Sequence, residues 1–207
     1  MHIKTIPVGQ LQTNCYVVTD PDTKACIIID PGDESPVIQR YLEDFGLTPQ
    51  AIFITHGHYD HTMATDDLVR AWGIPVYIGA ADVSTDSRPH PYRYAASGDT
   101  RYWEDGEEAT IGGLTFRIIA TPGHSPGGVC ILGDGCLFTG DTLFRDDCGR
   151  MDLPGGCAHT MMQSLAKIDA LEGDLEIYPG HAEATSLGRE RRFNHYLRQA
   201  ATGKSWS

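Results

Sequence analysis

Four strand-like runs of this chain each lead into a side chain able to bind a metal ion, with a glycine close by. Ala51 to Thr55 runs into His56-Gly57-His58-Tyr59-Asp60-His61, Phe116 to Thr121 leads to His124, Cys136 to Gly140 leads to Asp141, and Leu175 to Tyr178 leads to His181. A fold that uses these residues together must bring four strand ends to one edge of its sheets. Gly57, Gly123, Gly140 and Gly180 permit the close backbone approach that such crowding requires. A single loop histidine is ordinarily a surface or hydrogen-bonded residue, but five of the nine histidines fall at strand ends beside glycine. Neutral imidazole and carboxylate together suit zinc, iron or manganese, and the tight spacing of the first run lets one loop serve two neighbouring ions. His2, His90, His159 and His195 lack this context.

The rest of the pattern predicts a β start followed by αβ character, repeated in the second half. Strands are predicted at His2 to Val8, Thr13 to Thr19 and Ala25 to Asp30, with turns at Gly9-Gln10 and Asp20-Pro21-Asp22. Ser35-Pro36 opens a helix with Val37, Ile38, Tyr41, Leu42 and Phe45 on one face, and Gly46 stops it. A strand at Ala51 to Thr55, a helix at Ala64 to Trp72 and a strand at Val76 to Ile78 follow. Asp82 to Glu108 reads as a long surface excursion of the kind that lines a site. Beyond it come strands at Leu114 to Thr121, Val129 to Leu132 and Cys136 to Gly140, a helix at Thr160 to Leu171, a strand at Leu175 to Tyr178, and a last helix at Leu187 to Ala200.

With 207 residues and 41% hydrophobic content, the chain can bury a full core, and a single domain over 1–207 is the expectation. No apolar run approaches the roughly 18 residues of a membrane helix. Met1-His2-Ile3-Lys4 leads straight into alternating apolar residues without the sections of a secretory signal, which predicts a cytoplasmic protein. The net charge of −12 and the absence of a Lys/Arg run argue against nucleic acid as a partner. Cys15, Cys26, Cys130, Cys136, Cys148 and Cys157 show no C-x2-C pair, so reduced thiols are expected, the first four as small buried hydrophobes.

The His-x-His-x-Asp-His run, Thr121-Pro122-Gly123-His124, Gly140-Asp141-Thr142-Leu143-Phe144 and Pro179-Gly180-His181 together resemble the metallo-β-lactamase superfamily, specifically its short glyoxalase II-like hydrolases. Thr13-Asn14-Cys15-Tyr16, Ile29-Asp30-Pro31-Gly32 and Cys148-Gly149-Arg150-Met151-Asp152-Leu153-Pro154-Gly155-Gly156 also look like stretches of that family, so the resemblance covers nearly the whole chain. It implies an α/β (α+β) architecture, an αβ/βα sandwich of two central mixed sheets flanked by helices, with metals at one edge. It implies a first metal on His56, His58 and His124 and a second on Asp60, His61 and His181, with Asp141 bridging. Thr55, Thr139 and Asp30 are candidates to orient these ligands. Because little follows Pro179-Gly180-His181 except one predicted helix, no counterpart of the helical C-terminal domain that holds glutathione in longer relatives is expected. Ala182-Glu183-Ala184-Thr185 stands where relatives carry a Gly-Pro-containing turn, and Asn194-His195 where they carry Asn-Pro.

Two divalent ions sharing a water, zinc first and iron or manganese next, would support hydrolysis with Asp60 and Asp141 at the reacting centre. The implied substrate is a small-molecule hydroxyacyl thioester such as S-lactoylglutathione, whose thiolate leaves without a dedicated general acid. Arg145, Arg150, Arg88, Tyr92 and Arg93 are candidates to hold an anionic substrate, against the plainer reading of surface ion pairs. Two other readings share the motifs: a mononuclear iron persulfide dioxygenase using His56, His124 and Asp141, and a non-catalytic metal-binding protein. Oligomeric state is open at this level.

Overall fold

A computed structural model describes residues 1–84 and 90–203. The elements, in chain order, are β1 (His2–Val8), β2 (Thr13–Thr19), β3 (Ala25–Ile29), α1 (Ser35–Asp44), β4 (Thr48–Phe53), α2 (Tyr59–Thr62), α3 (Thr65–Trp72), β5 (Val76–Ile78), β6 (Thr100–Tyr102), β7 (Glu108–Ile111), β8 (Leu114–Ala120), β9 (Val129–Gly133), β10 (Cys136–Gly140), β11 (Leu143–Phe144), β12 (Asp147–Cys148), α4 (Ala158–Asp169), β13 (Glu176–Pro179), β14 (Thr185–Ser186), α5 (Leu187–Phe193) and α6 (His195–Ala201). They build two six-stranded sheets, ordered β1-β2-β3-β4-β5-β6 and β14-β13-β10-β9-β8-β7, plus the hairpin β11-β12. Both sheets are mixed: β3 to β6 run parallel beside an antiparallel β1-β2-β3 meander, and β10 pairs parallel with β13 in an otherwise antiparallel sheet.

Alternation of side chains along the strands divides the core into three apolar layers. Tyr16, Val18, Ile27, Ile29 and Phe53 of the first sheet meet Phe116, Ile118, Ile131 and Phe138 of the second. The opposite faces carry Val17, Ile28, Ile52 and Val76 against Ile38, Leu42 and Leu68 of α1 and α3, and Cys130, Leu137 and Ile177 against Met161, Leu165 and Leu197 of α4 and α6. The layers are therefore helix, sheet, sheet, helix, as the motifs implied. Strands β2 and β3 are covered on both faces, which explains their unbroken apolar run where a half-exposed strand would alternate. Cys15, Cys26, Cys130, Cys136 and Cys148 are buried free thiols, while Cys157 is exposed.

Several boundaries differ from the sequence reading. The strand expected at Ala51 to Thr55 spans Thr48–Phe53, because the Thr55 N–H leaves the ladder for the carboxylate of Asp30 (2.7 Å). On α1, Val37 and Phe45 are exposed rather than packed; the helix touches its sheet along the narrow stripe of Ile38 and Leu42, spaced one turn apart. The excursion from Asp82 contains β6, which extends the first sheet, and ends with the onset of β7. These strands escape notice because they are short and polar at a sheet edge. The last helix is broken at Asn194, whose extended ψ of 116° ends α5 and whose side chain caps α6 through the N–H groups of Tyr196 and Leu197. No helix among the described residues is long and apolar enough to cross a membrane.

Candidate metal centre

The strand ends converge as the motifs required. The loop after β4 delivers His56, His58, Asp60 and His61; β8, β10 and β13 deliver His124, Asp141 and His181. One ligand atom from each of His56, His58 and His124 falls within a 4.8 Å cluster, and Asp60, His61 and His181 form a second. Asp141 lies between them: one carboxylate oxygen is 3.4 Å from His61 Nε2, and the other is 3.4 Å from His124 Nε2 and 3.6 Å from His181 Nε2. Asp60 Oδ2 stands 3.2 Å from His181 Nε2 and 3.6 Å from His61 Nε2. Ligands bonded at roughly 2.0–2.2 Å to a tetrahedral ion lie roughly 3.3–3.6 Å apart, so these spacings are those of atoms that share a cation.

The hydrogen-bond network dictates which nitrogen is free in four of the five rings. Thr55 Oγ1 spends its proton on Asp30 (2.6 Å), so at 3.2 Å it accepts from His56 Nδ1–H. His61 Nδ1 faces the same Asp30 carboxylate at 2.9 Å, His124 Nδ1 donates to the carbonyl of Arg150 (2.8 Å), and His181 Nδ1 to that of Leu11 (3.1 Å). Four imidazoles are thus held with Nε2 turned inward; His58 presents Nδ1 instead, 2.9 Å from His124 Nε2. His56 Nε2, His58 Nε2 and one oxygen of Asp141 are buried without a hydrogen-bond partner. A buried acceptor left in this way costs about 1–3 kcal/mol, and a cation relieves it. The donor set fits divalent metal.

Charge is divided unequally between the two clusters. Burial, reinforced by the neighbouring imidazoles, drives His56 well below its ordinary pKa and His58 down to about 3, so both are neutral donors at pH 7. Burial also works against a charged His61, but Asp141, Asp30 and Asp60 outweigh it and raise the group to about 9. His181, likewise opposed by burial, ends above its ordinary value through Asp60 and Asp141. Asp60 is pushed up by burial yet ends well below the carboxylate range because of His181 and His61. The second cluster is therefore rich in carboxylate and holds protons that a cation must displace.

Backbone crowding accounts for the glycines. A Cβ on Gly180 would overlap the Asp141 carboxylate, and one on Gly140, whose φ is +47°, would overlap Thr55 Oγ1. Gly32 and Gly149 are equally tight: their added Cβ would strike the carbonyls of Asp60 and Asp141.

A family model described as the metallo-beta-lactamase superfamily matches residues 8–181. The chain belongs to this superfamily. Hydroxyacylglutathione hydrolase GloC of Haemophilus influenzae is 33% identical, over 95% of this chain and 98% of that relative. Among solved structures, the BLEG-1 B3 metallo-beta-lactamase superposes with a TM-score of 0.84 at 35% identity, covering 95% of this chain and 99% of its own. TTHA1623 in a di-iron-bound form superposes with a TM-score of 0.79 at 32% identity, covering 93% and 99%. The sandwich and its His/Asp clusters are thus those of a metallo-hydrolase superfamily.

Of the residues expected to hold substrate in such a superfamily member, Tyr92 and Arg150 line the cleft of about 570 Å³ that opens over His58, Asp60, His124, Asp141 and His181. The Arg150 guanidinium pairs with both oxygens of Asp152 at 2.8 Å. Arg145 and Arg93 do not line it: Arg145 pairs with Glu183, and Arg93 is exposed beyond the rim. Arg88 lies outside the described residues. Asp30 hydrogen-bonds His61, and Thr55 hydrogen-bonds His56, whereas Thr139 donates to the carbonyl of Leu143 (2.8 Å), steadying the Asp141 loop.

Asp82 was missed. Its buried carboxylate accepts from Gly57 N (2.9 Å), Gly127 N (2.7 Å) and Ser125 Oγ (2.6 Å), clamping the His56–His61 loop to the loop of His124. No local pattern announces it, since its partners are 25 to 45 residues away. The Leu11 carbonyl was equally invisible, because any residue supplies a carbonyl.

Proposed function

We propose that the protein is a binuclear metal-dependent hydrolase of the glyoxalase II type, cleaving small hydroxyacyl thioesters such as S-lactoylglutathione. The observation that carries this reading is the pair of three-ligand clusters with Asp141 between them and their imidazole protons turned outward. His56, His58 and His124 would hold one ion, Asp60, His61 and His181 the other, and Asp141 both. Zinc fits the nitrogen-rich cluster; iron or manganese suits the same donors. When bound, two such ions supply Lewis acidity and a water acidified toward neutral pH.

The chain's own groups do the rest. Asp30 and Thr55 keep the Nδ1 protons of His61 and His56 in place, so that Nε2 of each stays a donor. Arg150, the arginine among the described lining residues, would meet a carboxylate of the thiol carrier once Asp152 yields it. Tyr92 and Phe144 wall the cleft and limit water around the thioester. Hydrolysis forms a C–O bond and breaks the C–S bond, and the electron pair leaves on a thiolate that needs no protonation by the protein.

The test is metal content per chain of protein purified without added metal, beside the Asp60→Ala variant, followed by assay of S-lactoylglutathione. About two ions per chain, falling to about one in the variant with loss of thioester hydrolysis, is the expected result. A single iron indifferent to Asp60, with oxygen consumed on a thiol persulfide, would replace this reading with the dioxygenase. Bound metal with no turnover on either would leave a binding protein.

A further inference from the structure

A second cavity of about 290 Å³ adjoins the cleft on the Asp60 side and shares Leu11, Tyr59 and Asp60 with it. Leu11, Tyr59 and Met63 along this groove are 53%, 45% and 57% exposed, three of the eight large hydrophobic side chains left exposed among the described residues. Exposed apolar side chains scattered singly are ordinary; a cluster on a concavity joined to a metal centre marks a ligand surface. Outside the candidate metal ligands its one carboxylate is Asp33, and its lining contains no lysine or arginine. Arg150, the one arginine among the described residues that line the cleft, lies in the other cavity, beside Phe144 and Leu153, and is paired with Asp152. An anionic group finds a counter-charge on the Arg150 arm once Asp152 yields it, and meets only the carboxylate of Asp33 on the groove side.

We infer that the groove of Leu11, Tyr59 and Met63 receives the acyl group of the substrate, that this group is neutral and apolar, and that the anionic thiol carrier lies on the Arg150 side. The inference rests on the thioester reading for the reaction, while the binding polarity stands on the lining alone. The range of good substrates then extends past lactoyl to longer unbranched acyl groups, and acyl groups ending in a carboxylate are poor ones. Leu11 belongs to both functions, since its carbonyl orients His181 while its side chain walls the groove.

The test uses zinc-loaded protein and glutathione thioesters of acetyl, butyryl, hexanoyl and succinyl groups, with the wild-type chain and Met63→Lys. Met63 is exposed just after α2, so the substitution leaves the core untouched. Each added methylene is expected to raise kcat/KM about fourfold until the groove is filled, with succinyl far below butyryl. Met63→Lys is expected to shift the succinyl-to-hexanoyl ratio at least tenfold toward succinyl. In parallel, calorimetry with the non-hydrolysable S-hexylglutathione and S-methylglutathione should show the hexyl thioether binding at least tenfold tighter, and Met63→Lys should erase that gap. Turnover indifferent to chain length, with equal binding of the two thioethers, overturns the inference and spares the thioester reading. Absence of turnover with a retained, Met63-dependent hexyl preference does the reverse. Absence of both overturns both.

Discussion

At the scale of single residues, the centre depends on side chains that never touch a metal. Asp82 is the clearest. Burial pushes its carboxyl up against three hydrogen bonds that favour the charged form, and those bonds join the two loops that carry His56, His58 and His124. Asp82→Ala would leave the N–H groups of Gly57 and Gly127 unpaired; a loss of about 3 kcal/mol in stability and at least tenfold in metal affinity is expected. Denaturant unfolding and a competitive chelator titration measure the two. Ala182 acts in the opposite sense. Its φ of 62° is left-handed, so the chain bears a strain there that glycine would not. Ala182→Gly should stabilise the protein by about 0.5–1 kcal/mol, the relief of a left-handed alanine less the entropy of a freer unfolded chain. Urea unfolding at neutral pH would show it, and a destabilised variant would refute it.

The elements are held in register by polar links between segments remote in the chain. Asp20, in the turn after β2, accepts from Thr23 Oγ1 (2.7 Å) and Asp22 N (3.1 Å) and reaches across to Gly113 N (2.8 Å) between β7 and β8, so one carboxylate ties the two sheets at a corner. The hydrogen bonds of Thr23, Gly113 and Asp22 lower its pKa. A carboxyl depressed on folding adds stability that is fully present above its unfolded value and is lost as pH falls through the folded one. The stability gap between wild type and Asp20→Asn should therefore be open at pH 7 and close below pH ~4, which thermal melts across that range would record. At the far end, Asn194 caps α6 and donates to the carbonyls of Phe144 and Asp147, while Glu190 accepts from Asp146 N (2.7 Å) and Thr185 Oγ1 (2.6 Å). The helix pair thereby grips the hairpin that follows Asp141 and the strand that follows His181. The sequence anticipated one continuous helix here because its apolar residues keep helical spacing through the break.

For the whole molecule, the candidate centre draws on both sheets: the segment after β4 carries four of the candidate ligands and those after β8, β10 and β13 the other three. Metal that binds the folded chain and not the unfolded one adds RT ln(1 + [L]/Kd), about 4 kcal/mol at a thousandfold excess over Kd. Chelator should accordingly lower Tm by several degrees, and the effect should shrink sharply in Asp141→Ala, whose carboxylate spans both clusters. Equal chelator sensitivity in the two proteins would mean that Asp141 serves neither ion. The sequence alone determined the layered αβ fold and the seven candidate ligands, because strand-end spacing and neighbouring glycines are local signals that no distant contact need supply. Only the tertiary structure decided which nitrogen of His56, His61, His124 and His181 turns inward, that Asp82 and the Leu11 carbonyl hold the loops of the candidate ligands, that Arg145 pairs with Glu183 away from the cleft while Arg150, paired with Asp152, lines it, and that an apolar groove opens beside Asp60. Each of these depends on the packing of segments tens of residues apart, and a hydrogen-bond acceptor or an exposed side chain leaves no periodicity from which its partner can be read.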